Sequence, residues 1–285
     1  MIKTILAGLL AILILLFGGF FVADVLLKST VGVDMVGTVA GATMIVQPVD
    51  ESALITNPYN ETSEMKTVQQ KVNASVANMI TYSPENGYWV NFNNLPDNMK
   101  TIIALSDKEV AALSSVVLKQ EAAGQIQVKD LYMDVKIHQV EFEKNNEGTV
   151  LVNSVISIET ASFKEAVPAE SPLASFLGVI PDSLYVSSTV AVTKGEEPFT
   201  YQTEYVDFTI NNLNEKQSES FFHSVDVITG VGTAEYIGLQ IGNTLMDALV
   251  GSQTTKGLAY SLRSIGAKGF AFVEHADGIY FEVQR

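Results

Sequence analysis

Cysteine is absent from all 285 residues, so disulfides, iron-sulfur clusters and thiolate zinc sites are excluded. Histidine is scarce: His138, His223 and His275 are the only three, and their spacing makes no ligand set. Basic residues are in the minority, 17 against 32 acidic ones. The resulting net charge of -15 disfavours a nucleic-acid partner, whose phosphates demand a basic surface. Charged residues of both signs reach only 17%, while apolar residues reach 47%, too many for a disordered chain. Catalytic signatures are missing as well. There is no G-x-S-x-G elbow, no H-E-x-x-H, no P-loop and no G-x-G-x-x-G between a strand and a helix.

What is present begins with an apolar run. Ile5 to Ala23 reads ILAGLLAILILLFGGFFVA without a charge. As a helix it would span roughly 28 Å, close to a hydrocarbon core. Lys3 precedes it and Asp24 ends it, which predicts a cytoplasmic N-terminus and an extracytoplasmic remainder. The alternatives are a cleaved signal peptide and a buried soluble helix. The first suits a shorter run with a small-x-small end, which Phe20-Phe21-Val22-Ala23 does not supply. The expected partition is a transmembrane anchor over residues 1–27, a membrane-proximal linker over 28–60 and an α+β domain over 61–285. That domain is divisible into two similar halves around 61–195 and 196–285.

Within the domain the hydrophobic period changes along the chain. Met65, Val68, Val72, Val76 and Met79 recur at three and four, predicting a helix over Glu61 to Ile80, and Ser83 to Gly87 makes a turn. Tyr88 to Phe92 reads as a short strand carrying the only tryptophan, Trp89, as a core or edge aromatic or a ligand contact. Ser106 and Glu109 form a capping box, with Leu105 and Val110 as its staple, and Asn214 with Gln217 repeats the box. Between the boxes the period falls to two. Breaks between Ile137 and Val140 and at Asn153-Ser154 suggest bulges. Ala234, Ile237, Ile241, Leu245 and Leu249 form another helical stripe, with Gly238 and Gly242 one turn apart to admit a close neighbour. Three short strands, Gly257 to Ser264, Gly269 to Glu274 and Gly278 to Val283, are expected at the end. Strands cluster between helices instead of alternating with them, so the fold class is α+β: a transmembrane helix, then a mainly antiparallel curled sheet against several amphipathic helices.

The order of elements resembles that of single-pass membrane-anchored envelope proteins of Gram-positive bacteria with a tubular lipid-binding-like domain. The stretches that carry it are Leu105 to Leu118, Leu131 to Phe163 with Val179-Ile180-Pro181, and Val206 to Val225. The resemblance implies a non-enzymatic domain with an apolar groove between helix and sheet. Val110, Leu113, Val117, Phe221, Phe222, Ile237, Ile241 and Leu245 are the candidate groove lining. The expected partners are the bilayer, through residues 5–23, and a lipid ligand. An envelope protein or a second copy of the chain is the alternative, in a structural or assembly role. No cofactor, metal or catalytic residue is assigned: the pairs Asp130/Asp134, Glu141/Glu143 and Asp50/Glu51 carry no more signal than chance in so acidic a chain. The sequons at Asn60 and Asn73 are equally weak.

Overall fold

The computed structural model describes residues 41, 43–93, 95–121, 126–128, 131–145, 149–160, 181–229 and 232–285. The apolar run over 5–23 lies outside the described residues. Among the described residues no helix is long and apolar enough to cross a membrane.

The order of elements is α1 (Glu51–Leu54), α2 (Glu61–Ser75), β1 (Ile80–Ser83), β2 (Gly87–Val90), β3 (Ile103–Leu105), α3 (Asp107–Glu121), β4 (Ile126–Val128), β5 (Leu131–Lys144), β6 (Val150–Glu159), β7 (Ser183–Lys194), β8 (Tyr201–Ile210), α4 (Glu215–Thr229), α5 (Ala234–Leu249), α6 (Leu258–Ser261), a 3-10 turn (Leu262–Ile265), β9 (Gly269–His275) and β10 (Gly278–Gln284). Every pairing among them is antiparallel: the hairpin β1-β2, a three-stranded sheet β3-β10-β9 and a five-stranded meander β4-β5-β6-β7-β8. The class is α+β. A division at 195/196 would cut the meander between β7 and β8, whose strands are hydrogen-bonded from Lys194↔Tyr201 to Val186↔Ile210.

Both capping boxes form. Ser106 N donates to Glu109 Oε2 at 2.8 Å while Glu109 N reaches Ser106 Oγ at 3.4 Å. Asn214 N and Gln217 N exchange bonds with each other's side chains, both at 3.0 Å. Each box satisfies amides that a helix start leaves open, and so fixes where α3 and α4 begin. Glu109 does more than cap. Its buried carboxylate also takes Lys71 Nζ at 2.7 Å, which ties α2 to α3.

The bulge expected near Ile137 is there: β5 and β6 shift register between Ile137 and Gln139, leaving His138 as the extra residue. The bulge expected at Asn153-Ser154 is not. β6 pairs without interruption, and Ser154 points into the core, where it donates to Ser188 O at 3.2 Å. The second bulge lies on β8, where Val206 is extra between Asp207 and Tyr205. A bulge there, with Glu204 beside it, roughens an edge strand against pairing with another chain.

The sheet is closed on one face by α3 across β5 and by α5 across β7 and β8. The α5 contact is unusually close. A Cβ at Gly242 would sit 2.5 Å from Val190 Cγ2, and one at Gly238 would sit 3.3 Å from Ser188 Oγ. Ser188 Oγ donates to Gly238 O at 3.2 Å, so helix backbone rests on sheet side chain. The two glycines therefore admit a strand, the close neighbour their spacing called for. Phe142 of β5 meets Phe272 of β9 edge-on at 5.0 Å, joining the large sheet to the small one.

Three segments differ from expectation. The helical period read through Ile80 stops early: α2 ends at Ser75, Val76 is extended, and Ile80 opens β1 against Val90. Residues 257–264 are not a strand but α6 and the start of the 3-10 turn. Leu258, Ala259 and Leu262 are all buried, a spacing only a helical winding can turn inward together. Residues 43–60, read as linker, are packed onto the domain. Ile45 is fully buried, and its carbonyl accepts Asn211 Nδ2 at 2.6 Å. Asn211, in the left-handed region at φ 47°, also accepts Tyr185 N–H at 2.7 Å. Further on, Glu51 takes the Tyr185 hydroxyl at 2.6 Å and Asn57 N donates to Gln139 Oε1 at 2.8 Å.

The glycine contact separates two small substitutions. Gly242→Ala should destabilise the fold by about 1–3 kcal/mol, because the Val190 methyl groups must move. Gly238→Ala should be near neutral, since alanine's better helix propensity offsets a milder squeeze. Urea unfolding of both variants checks this, and equal losses would refute the close approach.

Candidate functional site

Among the described residues two cavities lie beside α3, the larger of them at the β1-β2 hairpin. Two buried-facing amides hold the hairpin. Asn73 of α2 accepts Ile80 N–H at 2.9 Å and donates to Ile80 O at 2.7 Å. Gln120 of α3 accepts Val90 N–H at 2.7 Å and donates to Val90 O at 3.0 Å. Ile80 and Val90 are cross-strand partners, so the hairpin is clamped from both sides at its base. Each amide supplies the donor and acceptor that a further strand would have supplied. The sequon at Asn73 thus marks a structural side chain, already committed to this clamp.

Beyond the clamp the hairpin carries its aromatics outward. Tyr82 and Tyr88 pair across the strands with ring centroids 4.9 Å apart. Tyr82 is 58% exposed and Trp89 is 52% exposed. These three line a cavity of about 890 Å³, together with Val116 and Gln120 of α3. A second cavity of about 420 Å³ continues along α3 toward the β5 bulge, lined by Ile55, Pro58, Tyr59, Val135 and His138 among others. Glu61 and Lys119 line both. They form an ion pair, Nζ to Oε2 at 2.8 Å.

Tyr59 forms part of the floor. Its hydroxyl donates to Ile137 O at 3.0 Å and lies 2.6 Å from Ser115 Oγ. Burial pushes its pKa up to about 12, so the phenol stays neutral.

His138 resembles part of a catalytic set, because Nε2 lies 2.7 Å from Ser157 Oγ and Glu159 is near. The proton count argues otherwise. Ser157 Oγ donates its one proton to Glu159 Oε1 at 3.0 Å, so its lone pair accepts from His138 Nε2–H. A nucleophile would need the reverse, with Nε2 as the acceptor and the carboxylate behind Nδ1. Ser157 is also fully buried. Glu159 is further occupied by Ser183 Oγ at 3.0 Å and Lys136 Nζ at 3.3 Å. The cluster is a satisfied polar network on the sheet.

The other titratable candidates are dispersed. His275 pairs with Glu282 at 2.9 Å in the β9-β10 hairpin, and His223 is exposed on α4. Asp50 caps α1 through Ser52 and Ala53, and the Ser52 hydroxyl above all holds its pKa below the usual carboxylate value. Asp130 lies outside the described residues. Among the described residues no three acidic or histidine side chains converge as a metal site requires.

The eight groove candidates are all found in one place, the core under the sheet. Val110, Leu113 and Val117 of α3 meet Phe221 and Phe222 of α4 and Ile237, Ile241 and Leu245 of α5 in a continuous buried cluster, none more than 3% exposed. Neither cavity beside α3 is lined by any of them. Stripe periodicity finds the inward face of a helix without saying whether that face is filled. Tyr82, Tyr88 and Lys119 escaped the sequence reading because hairpin aromatics and a helix-end lysine have no distinguishing period. The chain matches no protein-family model, no curated protein and no solved structure.

Burial, as the main cause, with help from Lys136 and against the pull of Glu159 and Glu51, holds the His138 pKa below its ordinary 6.5. The unfolded chain therefore takes up this proton first. The stability that His138 contributes is whole above about pH 6.5 and is lost as pH falls through the lowered value. Unfolding free energy measured between pH 8 and pH 5 should drop more steeply in the parent chain than in His138→Gln. Parallel curves would show that His138 does not titrate differently on folding.

Proposed function

We propose that the chain is a membrane-anchored, non-enzymatic binding domain that holds or passes an apolar ligand such as a lipid. The anchor is the apolar run Ile5 to Ala23, and the domain lies on the extracytoplasmic side. The observation that supports the binding reading most is the clamped hairpin, which keeps Trp89 and Tyr82 half-exposed beside a cavity of about 890 Å³. Large aromatics left uncovered next to a concavity are costly in water and useful to an apolar partner. The cavity volume falls within the range of about 300–1,000 Å³ usual for small-molecule sites. In this reading the ligand lies beside α3; Leu113, Phe222 and Ile241, between the sheet and the helices, are buried in the core.

The second reading is an envelope assembly component acting by protein contact, with itself or another protein. The same exposed aromatics favour it, since such residues are enriched in the cores of protein interfaces.

Lipid mass spectrometry on the natively purified full chain distinguishes the two. The binding reading expects a lipid carried in near-equal molar amount, and about a fivefold loss of it in Trp89→Ala. Trp89 is half-exposed, so this variant should keep its melting temperature. A lipid-free chain whose self-association or partner capture is lost in the same variant would favour assembly instead. The location has its own check: protease added to intact cells should remove a C-terminal tag, and full protection would overturn the outward topology.

A further inference from the structure

The smaller cavity reverses the charge balance of the chain. Acidic residues outnumber basic ones by 32 to 17 overall, yet this cavity is lined by Lys119 and Lys136 against Glu61. The larger cavity, which the same Glu61 and Lys119 help to line, is walled by Tyr82, Tyr88, Trp89 and Val116. We infer that the two cavities form one amphipathic site, in which Lys119 takes the anionic head of a single-chain ligand and the hairpin aromatics take its tail. The inference rests on the binding reading above and specifies the ligand's class.

The exchange at Lys119 is energetically cheap. The Glu61–Lys119 pair is 43% and 51% exposed by side chain, and exposed pairs contribute little to stability. A carboxylate or phosphate entering beside Lys119 replaces one charged partner with another and gains a charge-assisted hydrogen bond. Glu61 then turns to water, from the first turn of α2, where a negative charge is favoured in any case. The Tyr59 and Ser115 hydroxyls, 2.6 Å apart, give the polar end of the site neutral groups that do not repel an anion. Lys136 stays with Glu159 at 3.3 Å and does not have to move.

Trp89 is the only tryptophan, so its emission reports this site alone. The full chain, held in a nonionic amphipol, is titrated with octanoate, octyl phosphate and octanol. Octanoate and octyl phosphate should shift Trp89 emission to the blue, and at least tenfold more octanol should be needed for the same shift. Lys119→Met should weaken the anions about tenfold and leave octanol unchanged. Lys119→Arg should restore them, and Glu61→Gln should tighten them by removing the competing carboxylate. Octyl phosphate binding tighter than octanoate would point to a lipid headgroup as the source, and the reverse to a free fatty acid. If octanol binds as well as the anions, or Lys119→Met leaves them unaffected, the anionic-head inference falls while apolar binding stands. If none of the three probes moves the emission, both fall together.

Discussion

The approach of α5 to β7 governs how much space this molecule has inside. With no side chain at Gly238 or Gly242, the helix backbone comes down onto Ser188 and Val190. Ile237, Ile241 and Leu245 are thereby driven into the layer already occupied by Phe221, Phe222 and Leu113. Side chains buried together in this way pack nearly as closely as organic crystals in ordinary interiors. The described side chains between sheet and helices, where a lipid-binding domain of the expected kind would open, are buried against one another. Among the described residues, a cavity of about 890 Å³ lies where the chain holds an element away from the core.

That element is the β1-β2 hairpin, and amides hold it. Asn73 and Gln120 complete the hydrogen bonding of Ile80 and Val90, the two residues at its base. A two-stranded hairpin is marginal by itself in water. Here it is supported from two helices, so its aromatic side chains can stay uncovered without the strands collapsing onto α3. Asn211 does similar work at the opposite end, joining the start of β7 to the end of β8 and to the segment around Ile45. In each case one amide satisfies two backbone groups that burial would otherwise leave unpaired, at a cost of about 1–3 kcal/mol each.

The polar cluster around His138 illustrates why proximity is weaker than proton direction as a guide to chemistry. Histidine, serine and glutamate come together at the β5 bulge because the extra residue swings the imidazole over β6. The serine proton is already committed to Glu159, and this sets the direction of every other bond in the chain of donors. The result is stability coupled to pH through burial of the imidazole.

The sequence alone determined the features whose cause is local. Two capping boxes, the inward stripes of three helices, the bulge near Ile137 and the antiparallel α+β class all depend on residues a few positions apart. Hydrogen bonds to nearby amides and a period of two or 3.6 are enough to specify them. The seam of Gly238 and Gly242 was visible too, though not what would lie on it. Only the tertiary structure decided whether the stripes line a groove or fill a core, because that depends on the distance between layers. It also decided that 257–264 winds as a helix, that 43–60 packs onto the domain, and that one cavity lies at the hairpin and another toward the β5 bulge. Those outcomes rest on contacts between residues such as Ile45 and Asn211 that are remote in the chain, where no local period carries the signal.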